Sequence, residues 1–562
     1  MGFLISSARY ILRLVILGMA LRALVALYLN LWDFSRLESF DGTLGPFLYG
    51  WHFDLAIGSF FYFLLYGGAL IFSLSEKAFA RVNGLLLFIY TTFITVDALY
   101  AKESGRHISY EIYNLLTIRG SLGGLVKLYW LQALFAFLGA VFVAKFFTPR
   151  YRPVQGWLKR SLAFLFVACV TVVFARGFEG IPQDPSWAYR AGGGSKGATL
   201  ALNGAYGMVW AAIAGKKSSK ERIEIPPEVP TAEIFATWKQ GRGIPQPVGN
   251  FDGNIVIVFL EGWPGVYVDK KVGEQEVLPF LNSLRRESLH VDLMLAGGHR
   301  TTEGLFATLC GLPNPPGKSI MFSEIENKNF QCFPQFLQQK GYSSAFFQGS
   351  DQFTSGVGLL VLKTGFKESY GKREIPDYQK LEQNTWGVFD KDVYKHALRR
   401  MEELPEPLLI GINTNTTHDL ALPTKTKAAF GSENPHSMHL SVTHHADQEF
   451  KEFYESLTRR KWKKDWILIA LSDHTSLAEG GIFEHYSIPF LMKYHSVQGS
   501  KGTPPFAQKK VPGAFGQNDV GTTLMDLTGH AAPEFLGRSL LRPGEFSDGA
   551  SLFHLGQTAW FE

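Results

Sequence analysis

The apolar residues of this chain are crowded into its first third, and that asymmetry restricts what it can fold into. Leu, Phe, Val, Ile and Tyr dominate residues 1–176, whereas the remainder has the mixed composition of a water-facing domain. Five apolar stretches, at residues 10–32, 48–73, 82–101, 124–147 and 160–176, reach or approach the length that crosses roughly 30 Å of hydrocarbon. They predict a polytopic α-helical membrane domain of five helices over residues 1–177. The first stretch is too long for a removable signal peptide and lacks a small-residue cleavage site.

Basic residues orient these spans. Arg9 and Arg13 begin the first; Lys77 and Arg81 separate the second from the third. Lys145, Arg150, Arg152, Lys159 and Arg160 separate the fourth from the fifth. With five alternating helices all three clusters fall on one side, and the positive-inside rule makes that side cytoplasmic. Everything beyond Arg176 is then expected outside a cytoplasmic membrane. A short apolar segment at 198–214 holds Asn203 and reads as an interfacial or docking helix; as a sixth span it would return the large domain to the cytoplasm. Arg22, Asp54 and Asp97 lie within expected spans, where an isolated charge is costly, so partners are expected. An ion pair locking the bundle is the simpler reading, and a path for a lipid headgroup or acceptor is the functional one.

A formal net charge of +5 over 562 residues makes no case for nucleic acid, and the basic residues cluster beside apolar segments. Residues 178–250 read as a juxtamembrane linker, with Gly-rich AGGGSKGA, Lys-rich KKSSKER and Pro-rich IPPEVP. From residue 251 apolar runs alternate with amphipathic ones. NIVIVFLE, SSAFFQG, LLIGINTNTTH and WILIALSDH read as buried strands, while VLPFLNSLRRES and DQEFKEFYESLTRRK read as helices. That alternation predicts an α/β domain over 251–562 with a largely parallel central sheet.

In open α/β sheets, sites form beyond the carboxyl ends of the strands. Glu261 ends one run, Asp473 and His474 end another, and His418 ends a third. Two carboxylates and an imidazole can hold one divalent cation. Taken singly, each is equally well a capping or surface residue. In LAGGHRTTEGLFATLC, Arg300, Thr301 and Thr302 open a helical pattern. A threonine hydroxyl at a helix N-terminus beside a cation ionises more readily, although Thr is also a common N-cap.

GGHRTTEG followed by LPNPPGKSI resembles the nucleophile region of the lipoteichoic acid synthase and phosphoglycerol transferase family, within the sulfatase and alkaline-phosphatase superfamily. VFLEGW, FFQGSDQF, WGVFDKDVY, NTTHDL, LSDH and GQNDVGTTLMDLTG with FLGRSLL resemble its other blocks in order, and a membrane half before an external domain matches in layout. The resemblance implies a sulfatase-like extracytoplasmic domain with Thr301, rather than Thr302, as nucleophile. It implies that Glu261, Thr301, Asp473 and His474 surround one divalent cation, Mn²⁺ first, with Mg²⁺ or Zn²⁺ as alternatives. His418, Gln348 and Arg300 become the substrate-binding candidates. The implied reaction moves a phosphoglycerol headgroup from phosphatidylglycerol to a glycan, glycolipid or polymer acceptor through a phospho-threonine.

The chain departs from the family where it reads Thr354-Ser355-Gly356 and where Gln348 stands in place of a histidine, which bears on glycerol recognition. The sulfatase C-x-P-S-R signature is not met by Cys332-Phe-Pro-Gln-Phe. Phosphoethanolamine transferases share the threonine and metal but carry several disulfides, whereas only Cys310 and Cys332 are available here; two buried free thiols are the alternative to a bridge. A catalytically inactive membrane scaffold or sensor would be expected to have lost a nucleophile or ligand, and none is lost.

A cysteine-accessibility or reporter-fusion map is expected to place residue 155 in the cytoplasm and residue 400 outside. Both on one side would overturn the five-span topology.

Overall fold

The computed structural model describes the chain except at residues 1, 31–39, 105–106, 108–129, 150, 152, 179–182, 184, 192–193, 211–246, 315–319, 321–327, 477–482, 498–503, 508, 543–549, 555–556 and 562. The chain divides near Lys220 into two compact units. Most of the Lys- and Pro-rich linker, and residues 211–214 of the apolar segment, lie outside the described residues.

The first unit is helical. Among the described residues, four helices are long and apolar enough to cross a membrane: Ile5–Tyr28, Gly45–Phe72, Glu76–Ala98 and Trp157–Arg176. The remaining expected span appears as the helix Trp130–Phe146, 17 residues long; the residues before it are outside the described set. At about 1.5 Å per residue those 17 give roughly 25 Å, just short of the hydrocarbon thickness.

The charged residues inside this unit are paired. Arg22 grips Asp54 with two hydrogen bonds, Nη1 to Oδ2 at 2.7 Å and Nη2 to Oδ1 at 2.9 Å. Asp97 meets His107 at 2.5 Å. The Arg22–Asp54 pair also organises the described part of the 198–214 segment, where the helix is interrupted at Leu202 and Asn203. Gly194–Ala201 stops before Asn203, and 204–210 is helical again. Arg22 Nε donates to the Leu200 carbonyl at 2.9 Å. The Asn203 amide donates to Asp54 at 2.9 Å and to the Tyr90 hydroxyl at 2.8 Å. A buried guanidinium needs its donors satisfied, and beside the break the Leu200 carbonyl accepts from Arg22 while the Asn203 amide donates to Asp54. The helix Gly194–Ala201, at eight residues, is too short to span.

The second unit is built on a six-stranded sheet in the order Phe490–His495, Trp466–Ser472, Asn254–Leu260, Leu408–Asn413, Ser343–Gln348, Glu368–Tyr370. All neighbours run parallel except the Phe490–His495 edge strand. Every residue of the three central strands is buried, as expected for a parallel sheet covered on both faces. Val256, Val258 and Leu260 pack with Leu281, Ala397, Phe450 and Phe453, which come from the helices Pro279–Arg286, Asp390–Glu403 and Pro435–Arg459. The alternate residue Phe259 faces the other way, toward Phe346, which in turn meets Phe366. Pro435–Arg459 starts where it does because the Asn434 side chain accepts from Ser437 N–H at 2.9 Å and Pro435 needs no N–H partner in the first turn. A second sheet joins Lys510–Gly516, His290–Leu295 and Ser487–Ile488.

Cys310 and Cys332 form a disulfide. It ties the end of the helix Thr301–Cys310 to the residue that caps Phe333–Gln339. With a sequence separation of 22, the closed loop removes chain entropy worth about 3 kcal/mol from the unfolded state. Replacing both cysteines by serine is expected to lower unfolding stability by about that amount. Alkylation of the native, unreduced protein followed by mass spectrometry is expected to leave both residues unlabelled; labelling of both would remove the bridge.

Candidate active site

Strand register assembles this site. Leu260 pairs with Ser472 across adjacent parallel strands, and Phe259 pairs with Asn413 on the other side. The residues that follow, Glu261, Asp473 and Thr414, therefore emerge side by side at one edge. Glu261 N–H donates to Thr414 Oγ1 at 2.8 Å, and Gly262 N–H donates to Asp473 Oδ1 at 2.9 Å. A backbone N–H thus holds the Asp473 carboxylate, and the Thr414 hydroxyl fixes the main chain at Glu261.

Glu261, Asp473 and His474 each offer a ligand atom, and these atoms lie within 4.8 Å of one another. His474 Nε2 is 3.2 Å from Glu261 Oε1 and 3.5 Å from Asp473 Oδ2. Its other nitrogen, Nδ1, sits 2.9 Å from the Thr475 carbonyl, which a protonated Nδ1 satisfies, so Nε2 is turned to the carboxylates. Asp473 Oδ1 accepts two backbone N–H groups, whereas its Oδ2 is buried with no hydrogen-bond partner. Burial, and then the neighbouring Glu261, push the Asp473 carboxyl up to about 7. Burial disfavours the His474 imidazolium, yet Asp473 and Glu261 together push it up to about 10. Two buried carboxylates, an oriented imidazole and an unmet oxygen are the donor set that a divalent cation satisfies. The residues present fit such an ion.

Thr301 opens the helix Thr301–Cys310, preceded by Arg300 in extended conformation. Its Oγ1 lies 3.2 Å from Glu261 Oε2, which brings the hydroxyl into the cluster. Thr302 is also buried. The close approach of this helix depends on Gly304: a Cβ there would stand 2.0 Å from the Asp473 carbonyl oxygen. His418 closes the turn Thr416–His418 with Nε2 3.9 Å from Glu261 Oε1, near the cluster but beyond hydrogen-bonding distance. Arg300 is exposed. Gln348 ends its strand buried, and its amide donates to Ser350 Oγ at 3.0 Å and the Asp351 carbonyl at 2.6 Å, both in its own loop. Its Oε1 is buried without a partner.

Three residues that hold the site escaped the sequence reading. Gln517 donates to the carbonyls of Ser472 and Asp473 at 2.8 and 2.9 Å and accepts from Gly297 N–H at 2.6 Å, so it clamps the glycine loop to the Asp473 strand. Asn384 donates to the Asn415 carbonyl at 3.0 Å and accepts from Trp386 and Gly387 N–H at 2.9 Å each. Asp390 accepts the backbone N–H groups of Asn415 and Thr416 and so shapes the turn that carries His418. The signal for Asp390 was its place in WGVFDKDVY, but an acidic residue opening a helix is ordinary, and its distant partners are invisible in a sequence.

Asp390 is fully enclosed, and its second oxygen has no hydrogen-bond partner. Burial, and then the Glu449 carboxylate, push it from 3.8 up to about 7. The folded chain keeps this proton at pH values where the unfolded chain has lost it, so stability from this group is full below pH 4 and falls as pH rises toward 7. Asp390→Asn keeps an acceptor for the two N–H groups and removes the titration. It is expected to flatten the loss of stability between pH 4 and 7, by on the order of 1 kcal/mol or more, in denaturant titrations run across that range. Identical slopes for parent and variant would show that Asp390 does not carry this proton.

Residues 253–530 match the family model described as Sulfatase. Lipoteichoic acid synthase 2 of Bacillus subtilis (strain 168) is 22% identical over 452 residues, covering 75% of this chain and 66% of that protein. Lipoteichoic acid synthase 1 of the same organism is 23% identical over 268 residues, covering 45% and 41%. The chain thus spans from about two fifths to two thirds of the length of the curated relatives it matches first. Among solved structures, the lipoteichoic acid synthase LtaP from Listeria monocytogenes aligns with a TM-score of 0.48 at 15% identity, over 56% of this chain and 83% of that one. A protein in the alkaline phosphatase superfamily from Vibrio parahaemolyticus aligns at 0.49 and 20%, over 61% and 81%. Residues 253–530 are therefore similar to the sulfatase family, and the chain is similar in sequence to the lipoteichoic acid synthases.

Proposed function

We propose that this chain is a membrane-anchored, metal-dependent phosphotransferase. It moves a phosphoglycerol headgroup from phosphatidylglycerol to an extracytoplasmic glycan, glycolipid or polymer acceptor, with its catalytic domain outside the cytoplasmic membrane. The convergence of Thr301 Oγ1 on Glu261, beside Asp473 and His474, carries the proposal. The similarity to lipoteichoic acid synthases supports the donor class.

In the first step Thr301 Oγ attacks the phosphorus of the lipid headgroup. The bond from phosphorus to the diacylglycerol oxygen breaks, and diacylglycerol leaves with the threonine proton. In the second step an acceptor hydroxyl attacks the same phosphorus. The bond to Thr301 breaks, and the threonine recovers a proton from the acceptor. Glu261, Asp473 and His474, with Thr301, would hold a divalent cation, Mn²⁺ first, Mg²⁺ or Zn²⁺ otherwise. Such a cation favours the alkoxide and screens the phosphoryl oxygens. The helix N-terminus at Thr301 adds a favourable potential at the same oxygen. His418 faces the phosphate or glycerol oxygens. Arg300 attracts the anionic donor from the exposed rim. Gln348, buried at the end of its strand, bears on the substrate through the loop that its amide holds.

Thr301→Ala is expected to fold and retain metal while losing turnover by about three orders of magnitude or more. Thr302→Ala should cost only about 1 kcal/mol of stability. Asp473→Asn should weaken metal binding, with partial recovery in excess metal. The assay follows headgroup-labelled phosphatidylglycerol, with labelled phosphatidylethanolamine in parallel, onto protein and acceptor. Near-normal turnover in Thr301→Ala would end the covalent threonine mechanism, and label moving only from phosphatidylethanolamine would replace the headgroup.

A further inference from the structure

We propose that Trp386 is the platform for the acceptor, and that the acceptor presents a carbohydrate ring to it. This rests on the transfer reading for what happens next, but the binding surface stands on its own geometry. The indole lies on the His418 imidazole, with centroids 4.2 Å apart and planes 31° from parallel. It is nevertheless 42% exposed. His418 in turn stands 3.9 Å from Glu261, and Glu261 stands 3.2 Å from Thr301 Oγ1. The exposed aromatic is therefore one imidazole away from the reacting centre.

Its position is held by backbone, not by burial of the ring. Trp386 and Gly387 N–H both donate to Asn384 Oδ1, and Thr385 N–H donates to Asp419 Oδ2 at 3.1 Å. Val388 N–H donates to the Gly349 carbonyl at 3.0 Å, and Gly387 approaches that carbonyl so closely that a Cβ there would stand 1.9 Å from it. The Trp386 loop is thus interleaved with the turn that carries His418 and with the loop after Gln348. A large aromatic kept rigid, and left open beside a catalytic cluster, is prepared to take a ligand at little cost in ordering.

The chemistry of the surroundings selects the ligand. Its chain neighbours Glu382, Gln383 and Thr385 are exposed and polar, so this segment offers one aromatic side chain among polar ones. A lipid tail or a membrane surface needs a contiguous apolar patch. A pyranose ring offers one face of C–H bonds and an edge of hydroxyls, which suits one aromatic face with polar neighbours. Glycerol, which has no ring face, gains nothing from it.

Saturation-transfer NMR on the detergent-solubilised full chain tests the binding, with gentiobiose as probe, glycerol as the ringless control and Thr301→Ala as background to prevent turnover. Saturation is expected on the ring C–H protons of gentiobiose. Trp386→Ala is expected to raise its Kd about tenfold or more, and Trp386→Phe, which keeps an aromatic face, to stay within about threefold of the parent. In the Thr301 enzyme with labelled phosphatidylglycerol, Trp386→Ala should raise the gentiobiose KM about tenfold and the lipid KM by less than about twofold. Unchanged gentiobiose affinity in Trp386→Ala, or equal loss in the Phe and Ala variants, would overturn the platform. A rise confined to the lipid KM would also overturn it and assign Trp386 to the donor. Trp386-dependent gentiobiose binding without label transfer would leave the platform standing and remove the transfer reading.

Discussion

Two carboxylates that repel one another are buried at the ends of adjacent parallel strands, and the rest of the catalytic domain is arranged around that cost. Glu261 and Asp473 follow register partners, so the sheet itself sets their separation. Nothing in their surroundings dilutes the repulsion with solvent. Asp473 accepts two N–H groups on one oxygen, and its other oxygen has no hydrogen bond, with His474 Nε2 3.5 Å away. His474 offsets part of the charge, and the strong upward push on its imidazolium measures how negative the pocket is. A buried like-charge pair of this kind is destabilising on its own, and it becomes favourable once a divalent cation is bound. The fold thus carries a local deficit that metal binding offsets.

The residues of that centre were legible because polar residues at the ends of fully apolar runs stand out. NIVIVFL, LLIGIN and WILIALS became the three central strands with every residue buried, and Glu261, Asp473 and His474 follow two of them directly. The helix opening at Thr301 was readable from the glycines before it and the apolar pattern after it. What could not be read was anything that depends on partners far along the chain. Gln517 acts on Gly297 and Asp473, at separations of 220 and 44 residues. Asp390 acts on Asn415 and Thr416, and Asn384 on Asn415. Glutamine, aspartate and asparagine at loop ends are too common to be singled out without that knowledge. Short edge strands such as Glu368–Tyr370 carry no period long enough to detect.

The membrane unit shows the same limit in a different solvent. Arg22, Asp54 and Asp97 announced themselves because charge inside an apolar run is expensive, and partners for each could be anticipated. The segment around Asn203 was read as one helix because its composition is apolar throughout. It breaks because the Arg22 guanidinium requires acceptors that an intact helix would have withheld. Hydropathy registers how oily a segment is, but not which of its carbonyls a neighbour needs.

The contact between Gly304 and the Asp473 carbonyl has a consequence for how often the proposed nucleophile is in place. Most catalytic side chains owe their position to rotamers, which fluctuate at body temperature. Here the helix that begins at Thr301 rests at Gly304 on the main chain of Asp473. The backbone that carries Thr301 is therefore placed relative to Asp473 when the domain folds, which leaves the Thr301 side-chain rotamer as the remaining freedom. Any larger residue at 304 would tilt the helix as a unit. It would separate nucleophile from carboxylate without touching either, and would lower turnover through entropy rather than through chemistry.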